Sequence, residues 1–485
     1  MKLSKMPFAS LLAIVSLCSL AHSSVQSIIN AACNGSTPGA AVLQAGIYPQ
    51  TATVTLPSNC ALYINNASIT ASSSLVGDLL SSTNTSNVRI VGPGTLNAAG
   101  ASTSAQSFPL EFFGVSNGGI TDLQITGSNQ GGLNLWGVSS INVRGITFSG
   151  LNHAPGASSP AMGIFNWVSA HPTQTSSDVD VSRIRCNGVP GGGCIYSDGN
   201  YNHSGTTGQY NGLVNVSGTQ VVLVGDDGVE FDHTTGSIAD TSCAINSLPN
   251  QCVLIRQTSR VTVSNTTCAA GTSGPAYCVE VARFAMADDG VDAVVINATS
   301  AWGMIGQPDS GGIVIRNVDT SNSVTNIVVD GVTMSGSNGH GIYLEGPGST
   351  GASFEHFVLS SVVSHSNGGD GILIQYAQDV QVNGGIGYDN NQSTALCATN
   401  YTSALYVSNS NDVVVTGFRA FDDQSSKTQC YGLTTDSGTN RTTVRGADLR
   451  DDLEISAGVH SAGTNDSICY RNLANSGKCV GLTGF

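Results

Sequence analysis

Short runs of alternating apolar and polar residues recur along most of the chain, each closed by Gly, Asn or Ser. A period of two is the signature of a half-buried strand. One such run aligns with itself along the chain: Gly131–Trp136, Met162–Trp167, Gly193–Asp198, Asp227–Asp232, Tyr277–Ala282, Gly311–Arg316, His340–Glu345, Asp370–Gln375, Ser403–Ser408 and Tyr431–Asp436. The starts lie 31, 31, 34, 50, 34, 29, 30, 33 and 28 residues apart. A second run alternates with it (Ile141–Val143, Val179–Val181, Val261–Val263, Ile327–Val329, Val380–Val382, Val413–Val415), and a third, shorter one follows (Ile146–Phe148, Ile184–Cys186, Val332–Met334, Phe418–Ala420). Ahead of the repeats, Ser24–Cys33 carries Val25, Ile28, Ile29 and Ala32 at helical spacing, which predicts one short amphipathic helix.

A unit of about 30 residues with two or three short strands buries no core alone; stacked on its neighbours it does. The pattern predicts an all-β, single-stranded, right-handed parallel β-helix. The N-terminal helix would cap its open end, whose edge strands otherwise expose unpaired backbone. A propeller would show longer blades with their own signature. The alignment places the coils at about 50–450 and a C-terminal cap at about 451–485, in one domain spanning 24–485. The 50-residue spacing reads as an insertion at about 234–261, a candidate wall for a cleft.

Residues 1–23 have a basic start (Lys2, Lys5), an apolar core and a small-residue end, the pattern of a secretory signal. Of 13 cysteines, 12 lie beyond it, in the neighbouring pairs 33/60, 186/194, 243/252, 268/278, 397/430 and 469/479. An even count in a secreted chain points to disulfides, with sequential pairing as the simplest connectivity. The net charge of −15 argues against nucleic acid and anionic membranes as partners. A polyanionic ligand would need a local basic site. The expectation is an extracellular monomer.

Only 10% of residues are charged, yet Leu223–Asp232 packs Asp226, Asp227, Glu230 and Asp232 together. On a strand Val229 and Phe231 share one face, Glu230 and Asp232 the other. In adjacent coils equivalent outward residues stack about 4.8 Å apart. The alignment therefore adds Tyr196 and Asp198 on one side, and Tyr277, Glu280 and Arg316 on the other. It stacks Glu230 on Glu280 and Asp198 on Asp232. Crowded carboxylates either bind a cation or hold a proton. A protonated carboxyl beside an ionised one suits glycoside hydrolysis, and a carboxylate cluster suits Ca²⁺. His233 is a further acid/base candidate. His340, near Tyr343, Glu345 and Asp370, forms a second cluster, and Trp136 and Trp167 align as a sugar platform.

The helix ending at Cys33, Ala45-Gly-Ile-Tyr48, Leu62-Tyr-Ile64, Val91-Gly-Pro-Gly-Thr-Leu96 and above all Gly225-Asp-Asp-Gly228 carry a family likeness. The chain resembles the pectin-lyase-like β-helix superfamily, and within it the polygalacturonase/rhamnogalacturonase glycoside hydrolases of family 28. The resemblance implies a polysaccharide substrate, pectin-like or related, and inverting acid/base chemistry without a cofactor. It departs at three places. The family's earlier Asp falls on Gly193, with Ser197-Asp-Gly199 five residues later; its Gly-His-Gly histidine falls on Tyr277; and its Arg-Ile-Lys falls on Val314-Ile-Arg316.

The catalytic expectation is Asp227 as general acid, with Asp226 and Asp198 or Glu230 activating water. Tyr196, Asp232, His233, Tyr277, Glu280 and Arg316 would bind substrate. Under the alternative of a Ca²⁺-dependent lyase, Asp198, Asp227, Glu230 and Glu280 would hold the ion, and Arg283 or Arg316 would be the base. A non-catalytic carbohydrate-binding surface protein and an epimerase are further alternatives.

Overall fold

A computed structural model describes residues 24–480, apart from 102–107, 129, 152–158, 171–172, 201–208, 246–250, 271–276, 284–289, 305–310, 319–321, 349–352, 394–396, 398–400, 450–457 and 472–477. Residues 1–23, read from the sequence as a secretory signal, lie outside the described residues, as do parts of the tail.

The strands stack into a 29-stranded and a 15-stranded sheet. Every pairing between named strands is parallel except Ser467–Arg471 with Lys478–Val480. The chain is a right-handed parallel β-helix, and the smaller sheet carries the acidic strand. Its inward column runs Leu133, Met162, Ile195, Val229, Val253, Val279, Ile313, Ile342, Ile372 and Leu405, each at most 1% exposed. Register ties these residues coil to coil. Each such aliphatic side chain contributes about 1.5–3 kcal/mol on burial, which is why the alternation is kept so strictly.

The N-terminal helix is Val25–Ala32, with Ser24 as its N-cap. Val25 and Ile29 sit on the core, and Ile28 and Ala32 pack beside them. Gln26 explains how it caps the solenoid. Its side-chain amide takes the N–H of Thr55 (2.7 Å) and donates to the carbonyl of Thr55 (3.2 Å), on the first strand of the smaller sheet.

The turns explain the Asn, Asp and Gly content. One corner is a column of left-handed residues that includes Asn59, Asn87, Asn117, Asp178, Asn326, Asp379 and Asp412. Asn and Asp tolerate that region best among side chains with a Cβ. The column also hydrogen-bonds along its length, Asn87 Nδ2 to Asn59 Oδ1 at 2.8 Å and Asn117 Nδ2 to Asn87 Oδ1 at 2.5 Å.

Three expectations change. The 50-residue spacing is no insertion: Gln251–Arg256 is a full strand of the smaller sheet, between Val229–Asp232 and Tyr277–Arg283. Met162 pairs with Leu133 and Ile195, two residues off the sequence alignment, so Trp136 pairs with Phe165 and not with Trp167. Parallel pairing also begins earlier and ends later than 50–450, with Gly39–Leu43 at one end and Val459–Ser461 and Ser467–Arg471 at the other.

All six cysteine pairs are sequential disulfides. Those at 186/194, 243/252 and 268/278 each join a strand of the larger sheet to the strand or turn that opens the next pass of the smaller one. No helix among the described residues is long and apolar enough to cross a membrane.

Candidate active site on the smaller sheet

The motif Gly225-Asp-Asp-Gly228 is first a packing solution. A Cβ on Gly225 would lie 2.0 Å from the Pro190 carbonyl oxygen. A Cβ on Gly228 would lie 2.4 Å from the Cys252 carbonyl oxygen and 3.1 Å from Cys243 Sγ. Both glycines are needed for the turn to pass its neighbours, and the turn delivers Asp226 and Asp227 to the head of strand Val229–Asp232.

Along that strand Val229 and Phe231 point into the core, as expected, and Glu230 and Asp232 point out. The outward residues are nonetheless buried: Asp198 is 1% exposed, Asp232 4%, Asp227 6%, Glu230 7% and Glu280 2%. Buried ionised carboxylates need partners, and the partners are present.

Asp198 pairs across the sheet with Asp232, as predicted. His233 resolves the repulsion. Its Nδ1 lies 2.9 Å from Asp232 Oδ1 and 3.6 Å from Asp198 Oδ1. Tyr196 donates its hydroxyl to Asp198 Oδ2 (2.8 Å), and the backbone N–H of Asn200 donates to Oδ1 (2.7 Å). Burial alone would push the imidazole towards neutrality; hydrogen bonds and charge from Asp198 and Asp232 overcome it and push the pKa up to about 10. The ring is therefore a fixed cation at neutral pH. His233 also sits at φ 45°, at a corner where the coils before it place Gly114 and Gly137. Its ion pairs offset the cost of that backbone. Tyr196 is pushed well above its ordinary range, by burial first and by the Asp198 and Asp232 charges after it.

Glu230 and Glu280 do not stack. Leu254 lies between them, because the strand Gln251–Arg256 intervenes. That strand brings two groups the sequence reading missed. Arg256 pairs with Glu230 Oε1, and its Nε lies 3.7 Å from Asp232 Oδ2. Gln251 donates its side-chain amide to Glu280 and its backbone N–H to Asp227 Oδ1 (3.0 Å). The signal was there: Cys252-Val-Leu-Ile-Arg256 has the same pattern as Cys278-Val-Glu-Val-Ala282, and a spacing of 50 is two short coils.

Arg316 meets Glu280 Oε1 (3.2 Å) and Glu345 Oε2 (3.5 Å), and donates to the Tyr277 hydroxyl (2.9 Å). Burial pushes Glu280 upward against the opposing pull of Arg316. The Tyr277 ring joins Val314, Tyr343 and Leu373 in an apolar patch outside the sheet. The side chain of Arg283 lies outside the described residues.

Asp227 stands apart in its chemistry. Burial first, and then the charge of Asp226, push its pKa up to about 7, although a backbone N–H and Arg256 pull the other way. A carboxyl that is half protonated at neutral pH can give a proton to a leaving group. Asp226 is less buried than Asp227.

The four carboxylates expected to hold Ca²⁺ in a lyase do not converge, since Glu230 and Glu280 are held on separate coils by Arg256 and Arg316. Among the described residues one set of three has ligand atoms within 4.8 Å of one another: Asp198, Asp232 and His233. In the second cluster, His340 Nδ1 accepts the backbone N–H of Asp370 (3.0 Å) and lies 3.2 Å from its Oδ2. The ring is held against the Asp370 turn by these contacts.

No protein-family model matches the chain, and no curated protein matches it. Solved structures that resemble it include a tailspike protein variant of E. coli bacteriophage HK620 in complex with a pentasaccharide. The two share 12% identity over 92% of this chain and 76% of that one, with a TM-score of 0.58. The pre-mature gene product 12 of bacteriophage phi29 matches at 15% identity over 92% and 54% of the two chains, with a TM-score of 0.50. The A-module of an Azotobacter vinelandii mannuronan C-5 epimerase matches at 14% identity over 92% and 94%, with a TM-score of 0.42. At these identities the likeness is one of architecture, that of the right-handed parallel β-helix.

Proposed function

We propose that the chain is an extracellular protein acting on a polysaccharide, and that it is a glycoside hydrolase with Asp227 as general acid. The observation that carries this reading is the Asp227 carboxyl, buried beside Asp226 and with a pKa pushed up to about 7. Asp226, the less buried of the two, is assigned the activation of water. Asp198 and Glu230, expected in that role from the sequence, are already engaged by Tyr196, Asn200, His233 and Arg256. They are assigned to holding the site. His233 and Arg256 are its fixed positive charges, and Arg316 and Tyr277 line its far side. Six disulfides agree with an oxidising, extracellular setting. The tailspike named above holds a pentasaccharide, which agrees with a glycan as ligand.

A second reading is a non-catalytic glycan binder. The burial and pre-pairing of Asp198, Glu230, Asp232 and Glu280 favour it, because such groups stiffen a surface without reacting. The test is a panel of neutral and acidic polysaccharides, read for new reducing ends and for ultraviolet absorbance of unsaturated products, with and without EDTA. New reducing ends without that absorbance, insensitive to EDTA and about 10²–10⁴-fold weaker in Asp227→Asn, are expected. An acid must hold its proton, so the rate falls as pH rises through about 7. Unsaturated products that vanish with EDTA select the lyase. Binding without turnover, unchanged in Asp227→Asn, selects the binder.

A further inference from the structure

Four coils before Glu230, the outward face of the smaller sheet carries a second constellation that the acid/base reading does not use. Register places Glu111, Asn134, Gly163, Tyr196 and Glu230 in one column, and Phe113, Trp136, Phe165 and Asp198 in the other. At about 4.8 Å per coil, Glu111 lies roughly 19 Å from Glu230.

Phe113 and Trp136 are stacked, with centroids 6.1 Å apart and planes at 5°. Trp136 packs on Phe165 at 4.8 Å. Trp167 is then brought back over this face. Its backbone pairs with Gln174 (2.7 and 3.3 Å), and its ring reaches Phe113, at 5.8 Å and 53°, two coils earlier. Gly114, at φ +58°, makes room: a Cβ there would lie 2.9 Å from Trp167 Cζ3. The same point is 2.9 Å from Asn84 Oδ1 and 3.3 Å from Gln174 Oε1, so amide oxygens rim the indole. Phe113, Trp136 and Trp167 are all partly exposed.

At the base, Glu111 Oε1 accepts from Asn134 Nδ2 and from Trp136 Nε1, both at 3.0 Å. Asp78 accepts the N–H of Phe108 (3.3 Å) and contacts Glu111. Burial, and then the Asp78 charge, push Glu111 up to about 8. The Asn134 carbonyl oxygen is buried and has no hydrogen-bond partner among the described residues. It faces Gly163, where a Cβ would lie 2.7 Å from it.

We propose that Phe113, Trp136 and Trp167, with Asp78, Glu111 and Asn134 at their base, form a second carbohydrate subsite that binds a neutral sugar residue. The proposal rests on the reading of the protein as polysaccharide-acting and names the substrate class. Aromatic faces take the apolar face of a sugar ring, and unpaired oxygens take its hydroxyl protons. A uronate is excluded by charge. The titratable groups at the base, Asp78 and Glu111, are both acids, and the Lys and Arg of residues 78–198 are Arg89, Arg144, Arg183 and Arg185. All four belong to the larger sheet or its turns. The two arginines at the acid/base site are themselves paired with carboxylates. A glycan long enough to bridge both sites therefore has uncharged units at this end.

The test uses tryptophan emission. The chain has three tryptophans, and Trp302 lies exposed on the larger sheet, so Trp302→Phe leaves Trp136 and Trp167 as reporters. This variant is titrated with xylo-, cello-, malto- and chito-oligosaccharides and with oligogalacturonate and oligomannuronate. A saturable change with a neutral series is expected. Weakening by about tenfold or more, ~1.4 kcal/mol, is expected both for uronates and on Trp167→Ala. Replacing both acids at the base, Asp78→Asn with Glu111→Gln, leaves the aromatics in place and is expected to narrow the gap between uronate and neutral ligands. Asp227→Asn keeps the emission change while losing turnover, so failure of the hydrolase reading and failure of this subsite are told apart. No saturable change with any neutral series, uronate binding of equal strength, or full binding in Trp167→Ala each overturns the proposal.

Discussion

Replacing His233 with Gln removes the cation shared by two buried carboxylates. His233 and Asp198 are each 1% exposed and Asp232 is 4% exposed, so solvent screens little of the interaction. The imidazole pKa moves from 6.5 to about 10 on folding, a shift worth up to about 5 kcal/mol at 1.36 kcal/mol per unit. Breaking one side of a buried pair costs about 3–5 kcal/mol in general, which agrees. The sign follows from linkage. The folded pKa lies above the unfolded one, so this stabilisation is complete below pH 6.5. It declines by about 1.4 kcal/mol per pH unit above that and is gone beyond pH 10. The assay is thermal unfolding of wild type and His233→Gln from pH 5 to 10, alongside NMR titration of the imidazoles. The variant should have the lower Tm at pH 6, and the gap should close towards pH 10. In wild type the His233 resonances should keep their imidazolium shifts through pH 9. Adding Asp198→Asn to His233→Gln should restore part of the loss, because one carboxylate is then easier to hold than two. A His233 that titrates near 6.5, or a Tm gap that does not change with pH, would refute the reasoning.

Asp227→Asn should raise Tm at pH 8 and leave it unchanged at pH 4. The folded pKa of about 7 exceeds the usual carboxylate value, so folding opposes ionisation and loses up to about 4 kcal/mol above pH 7. Arg256→Met strands Glu230 and should cost about 3–5 kcal/mol, with Glu230→Gln in the same chain recovering much of it. Cys243→Ser with Cys252→Ser opens a loop of nine residues, and the chain-entropy cost is about 2–3 kcal/mol. Because Gly228 rests on that bridge, turnover should fall more than stability does; an equal fall would argue against the link. Gly114→Ala should displace Trp167 and change tryptophan emission, at about 1–2 kcal/mol for the left-handed backbone alone.

The sequence by itself determined the architecture, because a period of two with Gly/Asn corners every 30 residues allows few other ways to bury Val229, Ile313 or Ile372. It also carried an even set of cysteines and the acidic character of one strand, while the sequential pairing, the simplest connectivity, was decided by the fold. Register was what it left open. A column of Ile, Val and Leu tolerates a slip of two residues, since the same faces stay in and out, and that slip put Trp167 on top of Trp136. The strand Gln251–Arg256 passed as an insertion because it lacks the Gly that opens most coils. Only the tertiary structure decided that Arg256 and Leu254 separate Glu230 from Glu280. Only there does His233, one residue beyond a strand, turn back between Asp198 and Asp232. Which carboxylates are neutralised and which, like Asp227, hold a proton depends on distances of 3–4 Å between coils, and the linear order of residues does not encode them.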